Sequence, residues 1–399
     1  MIKLGILREG KIPPDKRVPF TPSQCKELLQ QFPNLELFIQ PSPIRCFTDT
    51  EYTAQGLILK EDLSDCDILI GIKEVPVDAL IPGKKYIFFS HTIKKQPHNQ
   101  KLMKGLISKK ITMVDYECLT DVNHNRVIGF GRYAGIVGAY NGLRGYGEKY
   151  DLFHLKPANL CSSRAEMEEE LKRVHLSNVK ILLTGGGRVS NGATETLGAL
   201  KIRKVTPFEF LHCTYREPVY CQLHSKDYFE AKDGSSWNSK GFYEHPENYV
   251  PSFLQYAKNC DLLISAHFWD PRAPKFFTKE DVKSADFRIS VVADITCDMD
   301  GSIPTTLRSS TITQPFYGYN PATEKEDIAF STKTITIMAV DNLPCELPRD
   351  ASEDFGKELT ERVMPSLLGE DPTALISRAT ICENGRLTNA FVYLKDYAY

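Results

Sequence analysis

The stretch that decides the fold is KILLTGGGRVSNGA, which runs from Lys180 to Ala193. Its first half is a short apolar run, and three consecutive glycines follow that run. Glycines after a strand allow a tight turn and a close approach of the backbone to a phosphate, and the next helix presents free N–H groups to it. The stretch therefore predicts a strand, a phosphate-binding turn and a helix.

This glycine loop is the predicted cofactor site, and its spacing departs from the usual GxGxxG because Ser190 stands where the third glycine is expected. A purely structural turn is the alternative interpretation. The preceding strand and the helix-like NGATETLGAL that follows favour dinucleotide binding. The predicted cofactor-binding residues of the loop are Gly185, Gly187, Arg188, Val189, Ser190 and Gly192.

The type of nucleotide depends on a residue about 20 positions further on, where NAD-binding proteins carry an acid for the adenosine ribose. The predicted second strand ends in KVTP, so Thr206 stands in that place. A missing carboxylate removes repulsion against a 2′-phosphate, and Arg188, Arg203 and Lys204 are nearby cations. The sequence therefore favours NADP(H), with NAD(H) possible.

Outward from the loop, short apolar runs alternate with amphipathic stretches along the chain. IKLGIL, LELFIQ, DILIGI, YIFFS and ITMVDY are expected strands of a first unit over roughly residues 1–130, and a second series begins at Lys180. Nearly continuous apolar strands that alternate with helices are typical of parallel sheets covered on both faces. The predicted class is α/β, and a length of 399 residues is consistent with two domains.

Composition narrows the classes of function. Hydrophobic residues make up 42% and charged residues 25%, with a formal net charge of −2, so neither nucleic acid nor an anionic membrane is an expected partner. The 11 cysteines include no pair or Cys/His cluster with zinc spacing, so no metal site is predicted. No membrane span or secretory signal is recognised, and we expect a cytoplasmic protein with reduced cysteines.

Reactive side chains follow apolar runs in the first unit. Lys73 and Glu74 come after DILIGI, His91 comes after YIFFS, and Arg17 lies between prolines before an expected helix. Ligands of open α/β sheets bind at the carboxyl ends of strands, so these residues are predicted to share one site. A partly desolvated lysine and a histidine can both exchange protons near neutral pH, and an arginine can hold a carboxylate bidentately.

Several motifs occur in an order that resembles the superfamily of alanine dehydrogenase, transhydrogenase and lysine-forming saccharopine dehydrogenase. They include REGKIPPDKRVPFTP, GIKEVP, FFSHTIKKQ, RVIGFGRYAGIVGA and the glycine loop. HPENYVPSF, ADITCDMDGSI and AVDNLPCELPRDASEDFG look most like the lysine–2-oxoglutarate reductase group within that superfamily. The resemblance extends over essentially the whole chain.

The resemblance implies two Rossmann-like domains with parallel sheets flanked by helices and a cleft between them. The substrate domain would take residues 1–132 plus 341–399, and the dinucleotide domain 133–340 with an insert at about 215–250. Lys73 and His91 would be the acid–base pair, and Glu74 would tune Lys73. The remaining implied site residues are Arg17, Glu117, Arg126 and Asp341 for substrate, and Asp298 near the nicotinamide end of the cofactor.

The activity implied by the resemblance is reductive condensation of L-lysine and 2-oxoglutarate to saccharopine with NAD(P)H, and its reverse. Its partners would be these small molecules. Glu74 is similar to the fungal enzymes, whereas the lack of an acid after the second strand is similar to the NADP-using reductases. Another amino-acid dehydrogenase, such as alanine dehydrogenase, and a catalytically silent nucleotide-binding regulator remain alternatives. The oligomeric state stays open.

Overall fold

The apolar runs become strands in the computed structural model, which describes residues 1–399. In chain order the strands are Ile2–Ile6 (β1), Leu35–Ile39 (β2), Ile58–Leu59 (β3), Ile68–Ile70 (β4), Lys85–Phe88 (β5), Thr112–Asp115 (β6), Lys180–Thr184 (β7), Arg203–Val205 (β8), Val219–Leu223 (β9), Phe229–Ala231 (β10), Tyr249–Pro251 (β11), Leu262–Ser265 (β12), Val291–Asp294 (β13), Phe316–Asn320 (β14), Lys325–Asp327 (β15), Ile335–Met338 (β16), Thr380–Glu383 (β17) and Arg386–Leu387 (β18).

The amphipathic stretches between them become helices. These are Pro22–Gln31 (α1), Asp49–Ala54 (α2), Gln100–Ser108 (α3), Gly131–Tyr150 (α4), Arg164–Glu170 (α5), Arg188–Ala199 (α6), Pro207–His212 (α7), Ser225–Tyr228 (α8), Ser239–Glu244 (α9), Leu254–Ala257 (α10), Pro348–Arg362 (α11), Met364–Leu368 (α12), Leu375–Ala379 (α13) and Lys395–Ala398 (α14). Thr21 and Gln24 form a capping box at the start of α1, which also has a proline in its first turn.

The first unit contains Met1–Phe130 and Pro348–Tyr399. Its sheet has the order β18-β17-β6-β5-β4-β1-β2-β3. Strands β1 to β6 all run parallel, and β17 and β18 extend the sheet in the antiparallel sense. The central strand β4 is buried along its whole length, as expected for a parallel sheet with helices on both faces.

The second unit contains Gly131–Leu347 and has a sheet of the order β15-β14-β16-β13-β12-β7-β9-β8. The six strands from β16 to β8 in this order are parallel, whereas β14 and β15 are antiparallel at the other edge. Strands β12, β13 and β16 are buried throughout. Two parallel-dominated sheets flanked by helices confirm the predicted α/β class with Rossmann-like domains.

The predicted insert at 215–250 is wrong at its start. The run PVYCQL forms β9, which pairs with β7 on one side and β8 on the other and is a core strand of the sheet. Only residues 225–251, which we call the lobe, leave the sheet; they contain α8, β10, α9 and β11. β9 forms because its backbone pairs with strands that are distant in sequence. Its short apolar run alone therefore does not identify it as a strand.

The boundaries of the two units differ from the predicted ones, most clearly where the chain returns from the second unit to the first. Residues 341–347 belong to the second unit rather than the first. Within this segment Glu346 is buried, and its Oε1 accepts a hydrogen bond of 2.8 Å from Nδ2 of Asn141 on α4. Asp341 therefore lies in the second unit. The function of each unit stays a prediction at this point.

Helices α4 and α6 pack at backbone distance inside the second unit. A Cβ atom at Gly135 of α4 would lie 1.8 Å from the carbonyl oxygen of Val189, and one at Gly192 of α6 would lie 1.9 Å from that of Arg132. Only glycine fits at such a crossing, which accounts for Gly135 in α4 and Gly192 in α6. None of the helices combines the length and the apolar character needed to cross a bilayer.

Candidate active site

The carboxyl ends of β4 and β5 bring together the first group of predicted site residues. The two strands are adjacent and parallel, so the segments that follow them leave the sheet at the same edge. Lys73 and Glu74 follow β4, and His91 follows β5. Nδ1 of His91 lies 2.5 Å from Oε1 of Glu74. The structure therefore places His91 in contact with Glu74, the residue that follows Lys73.

Glu74 is an ionised carboxylate in this arrangement. Burial raises its pKa, but the hydrogen bond and charge of His91, together with Lys11, lower it to about 2. Nζ of Lys11 lies 3.2 Å from Oε2 of Glu74. Because an ionised carboxylate only accepts hydrogen bonds, Nδ1 of His91 must carry a proton. Nε2 is then the nitrogen of His91 available for proton exchange with a substrate.

Lys73 has the surroundings of a reactive amine. Its side chain is half-buried, its Nζ lies 5.8 Å from the ring centroid of Phe89, and it forms no ion pair. Burial lowers the pKa of Lys73, and the positive charges of Arg17 and Lys11 lower it further. A lysine with a lowered pKa can act as a base closer to neutral pH than an exposed lysine can.

The backbone around Lys73 is held by Glu9, a residue that the sequence analysis did not single out. Oε1 of Glu9 accepts from the N–H of Ile72 at 2.6 Å, and Oε2 accepts from the N–H of Lys73 at 2.8 Å. Burial raises the pKa of Glu9 to about 8. The only signal in the sequence is an acid three residues beyond β1, the strand next to β4.

His91 adopts a left-handed backbone conformation, with φ of 50°. The turn is stabilised by Asp115 at the end of β6, which accepts hydrogen bonds from the N–H and the hydroxyl of Ser90. Burial raises the pKa of Asp115 to about 6. Non-glycine residues with positive φ are uncommon and are held in place by their surroundings, so Asp115 positions the imidazole indirectly.

Arg17 is buried and already engaged with a carboxylate of the chain itself. Its Nε and Nη2 donate to the two oxygens of Asp15 at 3.0 and 2.6 Å, and its guanidinium lies 4.1 Å from the ring centroid of Phe130. Burial raises the pKa of Asp15, but Arg17 lowers it below its usual range. The sequence analysis missed Asp15, although it lies only two residues before Arg17.

Glu117 and Arg126 form an ion pair near the end of β6. Nη2 of Arg126 lies 3.3 Å from Oε1 of Glu117, with side chains 47% and 13% exposed. The N–H of Glu117 also donates to Asp115 at 2.7 Å, which connects this pair to the turn at His91. Their predicted contact with substrate stays a prediction.

The glycine loop in the second unit borders a cavity of about 840 Å³, within the range of roughly 300–1,000 Å³ usual for small-molecule sites. Gly185 has φ of 101°, and a Cβ there would lie 2.6 Å from the carbonyl oxygen of Ala266. A Cβ at Gly187 would meet nothing within 4 Å. Gly187 caps the twelve-residue helix α6, so the loop offers an open backbone cradle at a helix N-terminus.

The structure sorts the predicted cofactor residues of the loop into two groups. Gly185, Gly187, Arg188 and Val189 line the cavity. Ser190 is buried and donates through its hydroxyl to the carbonyl of Gly187 at 2.9 Å, so it stabilises the loop and does not line the cavity. Gly192 faces α4 and allows the helix packing described above rather than lining the cavity.

Thr206 does not lie where the sequence analysis placed it. β7 lies between β12 and β9, whereas β8, which precedes Thr206, is the outer strand beyond β9. Thr206 caps α7 in a capping box with Glu209. The residues that follow the correct strand are His224, Ser225 and Lys226, and all three line the cavity. The prediction failed because strand order, not chain order, decides which strand is second.

The rest of the cavity is formed by residues that the sequence analysis missed. They come from the glycine loop, the lobe and the segment after β12: Gly186, Trp237, Ser239, Tyr243, Ala266, His267 and Phe268. His267 is buried, with Nδ1 at 2.7 Å from the Thr184 hydroxyl and Nε2 at 2.9 Å from that of Ser302. Burial lowers its pKa to about 3, so His267 is a neutral structural residue of the wall.

Asp298 and Asp341 lie elsewhere at the carboxyl edge of the same sheet. Asp298 follows β13 and Asp341 follows β16, and both residues are exposed. Between them Cys297 donates its thiol to the carbonyl of Ala339 at 2.8 Å. Neither aspartate lines the glycine-loop cavity. Their predicted roles stay predictions.

Comparisons with known proteins establish the family of the chain. The profile of the alanine dehydrogenase/PNT N-terminal domain matches residues 5–137, and that of the alanine dehydrogenase/PNT C-terminal domain matches residues 173–389. These matches cover most of the sequence, and the chain belongs to the alanine dehydrogenase/PNT family. It is therefore an NAD(P)-dependent oxidoreductase, as the sequence analysis predicted.

Individual relatives narrow the comparison. The chain is 29% identical over 98% of its length to alpha-aminoadipic semialdehyde synthase of Arabidopsis thaliana, and 27% identical over 98% to the mitochondrial protein of that name from Rattus norvegicus. It spans only 41% and 47% of those two relatives. It is 24% identical to the lysine-forming, NAD(+)-dependent saccharopine dehydrogenase of Yarrowia lipolytica, with 92% of each chain covered.

Solved structures show the same fold. An L-alanine dehydrogenase superposes with a TM-score of 0.66 at 17% identity, and all of both chains is covered. A transhydrogenase from Sinorhizobium meliloti superposes with a TM-score of 0.60 at 13% identity, covering 97% of this chain and 98% of the other. Identities this low establish the architecture alone.

Proposed function

We propose that this chain catalyses the reductive condensation of L-lysine with 2-oxoglutarate to saccharopine, and its reverse. The observation that carries the proposal is the arrangement of Lys73 beside the Glu74–His91 pair at the ends of two adjacent parallel strands. A lysine and a histidine that can both exchange protons suit a reaction that moves protons at both an oxygen and a nitrogen. The names of the lysine-forming relatives support this particular amine and keto acid.

The reaction needs three chemical changes. The ε-amine of lysine adds to the keto carbon of 2-oxoglutarate and gives a carbinolamine, which loses water to form an imine. A hydride and a proton then convert the imine to the secondary amine of saccharopine. The nicotinamide nucleotide supplies the hydride when it is bound, and the chain must supply and remove the protons.

The two site residues have different roles in these proton transfers. Neutral Lys73 accepts a proton from the incoming ammonium, which makes the amine nucleophilic. The protonated imidazole of His91 donates from Nε2 to the departing hydroxyl, because Nδ1 is held by Glu74. Glu74 keeps the imidazole in one orientation, since its ionised carboxylate accepts the hydrogen bond from Nδ1.

Cations near this site would hold the substrate carboxylates. Arg17 is fixed by Asp15, so its guanidinium cannot reorient freely and is preorganised for binding. Arg126 is more exposed and is oriented by Glu117. We assign Arg17 to the keto acid and Arg126 to a second carboxylate, consistent with a product that carries more than one such group.

NADP(H) is the nucleotide that we propose, and the second unit would bind it. The cradle of Gly185 and Gly187 at the N-terminus of α6 would hold the pyrophosphate. No aspartate or glutamate lines the cavity, whereas Arg188 and Lys226 do. A cavity with positive side chains and no carboxylate favours the extra 2′-phosphate of NADP(H) over NAD(H).

The test is the loss of nicotinamide absorbance with purified protein, 2-oxoglutarate and L-lysine, run separately with NADPH and NADH. We expect lysine-dependent oxidation, faster with NADPH. A parallel reaction with pyruvate and ammonia tests the alanine dehydrogenase alternative. Oxidation with pyruvate and ammonia but not with lysine would overturn the proposed substrates, and no oxidation with any pair would overturn catalysis.

A further inference from the structure

The lobe is a folded element whose aromatic residues pack onto the core of the second unit. Strands β10 and β11 pair in antiparallel register, and the rings of Trp237, Phe242 and Tyr249 pack with centroid distances of 5.0 to 5.4 Å. Phe229 adds a further contact with Phe242 at 4.9 Å. Four aromatic rings therefore hold the lobe together, and it presents a defined surface to the glycine-loop cavity.

One wall of that cavity carries an unpaired positive charge directly after β9. Lys226 is exposed and forms neither a hydrogen bond nor an ion pair through its ammonium group. The nearest acid in the sequence, Asp227, accepts a hydrogen bond from the N–H of His224 at 2.7 Å and does not line the cavity. The imidazole of His224 lies against Gly186, because a Cβ there would meet its Nδ1 at 2.7 Å.

Exposed aromatic rings line the same cavity. Tyr243 comes from helix α9 of the lobe and is 59% exposed, and Phe268 follows β12 and is 79% exposed. Large aromatic side chains lose favourable free energy when they stay in water, so two of them at one cavity indicate a flat apolar ligand group. Heteroaromatic bases stack on such rings independently of their identity.

We propose that the lobe and the β9 end form the adenosine-binding part of the cavity, and that Lys226 determines the nucleotide preference by binding the 2′-phosphate. Ser225 and His224 would complete the phosphate contacts, and Tyr243 with Phe268 would hold the adenine ring. This inference rests on the proposed nicotinamide-nucleotide function. It assigns to the lobe a role in cofactor selection, and it replaces Thr206 by Lys226 as the residue that decides between NADP(H) and NAD(H).

Binding measurements separate the phosphate role from catalysis. Isothermal titration of the full chain would compare adenosine 2′,5′-bisphosphate with AMP, which differ only in the 2′-phosphate, and NADPH with NADH. For Lys226→Ala we expect the Kd of NADPH and of the bisphosphate to rise about tenfold, the scale of one charge-assisted contact. The Kd of NADH and AMP should change less than about twofold, since they lack the group that the lysine contacts.

Lys240→Ala is the matched control. Lys240 lies on α9 of the lobe, is 83% exposed at its side chain, and does not line the cavity. Its removal changes the net charge of the lobe by the same amount as removal of Lys226. Equal losses of NADPH affinity in the two variants would show a general electrostatic effect and overturn the assignment to Lys226.

The proposed adenine contacts of Tyr243 and Phe268 predict a different pattern of affinity losses. Tyr243→Ala and Phe268→Ala should each weaken NADPH, NADH and AMP to the same extent, by about fivefold or more, because adenine is common to all three. Unchanged AMP affinity in both variants would overturn the adenine site.

Failure of this inference and failure of the proposed function give different results. If wild-type chain binds NADH and NADPH equally and turns over with lysine, the function stands and the Lys226 assignment is wrong. If it binds neither nucleotide, both are wrong.

Discussion

Nδ1 of His91 donates to Oε1 of Glu74 at 2.5 Å, and this one contact joins the ends of two neighbouring strands. It determines which imidazole nitrogen faces a substrate, because the ionised carboxylate can only accept. It also places a negative charge near Lys73, where that charge raises the pKa of the lysine against the lowering effect of burial. Glu74 therefore affects both proposed acid–base groups.

Replacing Glu74 tests this double effect. In Glu74→Gln the negative charge is lost, so the pKa of Lys73 should fall further, and the limb of the kcat/KM profile that reports Lys73 should move to lower pH. Glu61→Gln is the control, because Glu61 pairs with Arg8 on the surface of the same unit. A limb that stays in place or moves to higher pH would contradict the assignment of Glu74 and Lys73 as a coupled pair.

Removal of the proposed base should affect turnover and leave nucleotide binding intact. We expect Lys73→Met to lower kcat by about 100-fold or more, the usual scale for an acid–base group. The measurement is steady-state turnover together with the Kd of NADPH. Lys104→Met, which alters an exposed lysine of α3, should keep wild-type turnover. Near-normal turnover of Lys73→Met would exclude Lys73 from the mechanism.

The buried pair of Arg17 and Asp15 should contribute to folding as well as to binding. Both side chains are no more than 2% exposed. Asp15→Ala leaves an uncompensated buried guanidinium, and we expect a loss of about 3–5 kcal/mol in the free energy of unfolding by urea. Arg8→Ala removes a partner from the exposed pair with Glu61, and the expected loss is below about 1 kcal/mol. Similar losses in the two variants would refute a special role of burial.

The same pair should make the free energy of unfolding depend on pH. The native-state pKa of Asp15 lies below its unfolded value, although burial acts against this, because Arg17 stabilises the carboxylate. Its contribution is present above the unfolded pKa and is lost as pH falls toward the native value. Urea unfolding on the acid side should therefore show a weaker loss of stability in Asp15→Asn than in the wild type.

Gly192 should matter for packing rather than for nucleotide contact. A Cβ there would lie 1.9 Å from the backbone oxygen of Arg132, so Gly192→Ala must displace α4 from α6 and should cost about 1–3 kcal/mol or more. Gly198→Ala on the same helix meets nothing within 4 Å and should stabilise by up to about 1 kcal/mol. Calorimetric melting temperatures that move in the same direction for both variants would contradict this.

The buried carboxyl group of Glu346 should make stability depend on pH in the opposite sense to Asp15. Burial raises its pKa to about 7, although Asn141 acts against this. A native pKa above the unfolded value favours the folded state at low pH, and this contribution is lost as pH rises from the unfolded value toward about 7. The wild type minus Glu346→Gln difference in unfolding free energy should fall across this window, by at most about 1.4 kcal/mol per pH unit. If this difference in unfolding free energy does not vary with pH, Glu346 does not contribute to the pH dependence of stability.

A large part of the fold follows from local sequence pattern. Runs such as DILIGI and YIFFS are short, apolar and rich in isoleucine and phenylalanine, and the structure confirms them as the parallel strands β4 and β5. The box of Thr21 and Gln24 identifies the start of α1 in the same local way. These features depend on residues within a few positions of one another, so they can be predicted without knowledge of the tertiary structure.

The sequence by itself also determined that Lys73 and His91 leave the sheet at one edge, because successive parallel strands must end on the same side. It determined the turn at Gly185, because a positive φ there requires glycine. Only the tertiary structure decided that β9, and not β8, pairs with β7, and this is why we propose Lys226 rather than Thr206 as the residue that distinguishes the two nucleotides. Strand order depends on pairing between segments far apart in the chain, and no local pattern encodes it.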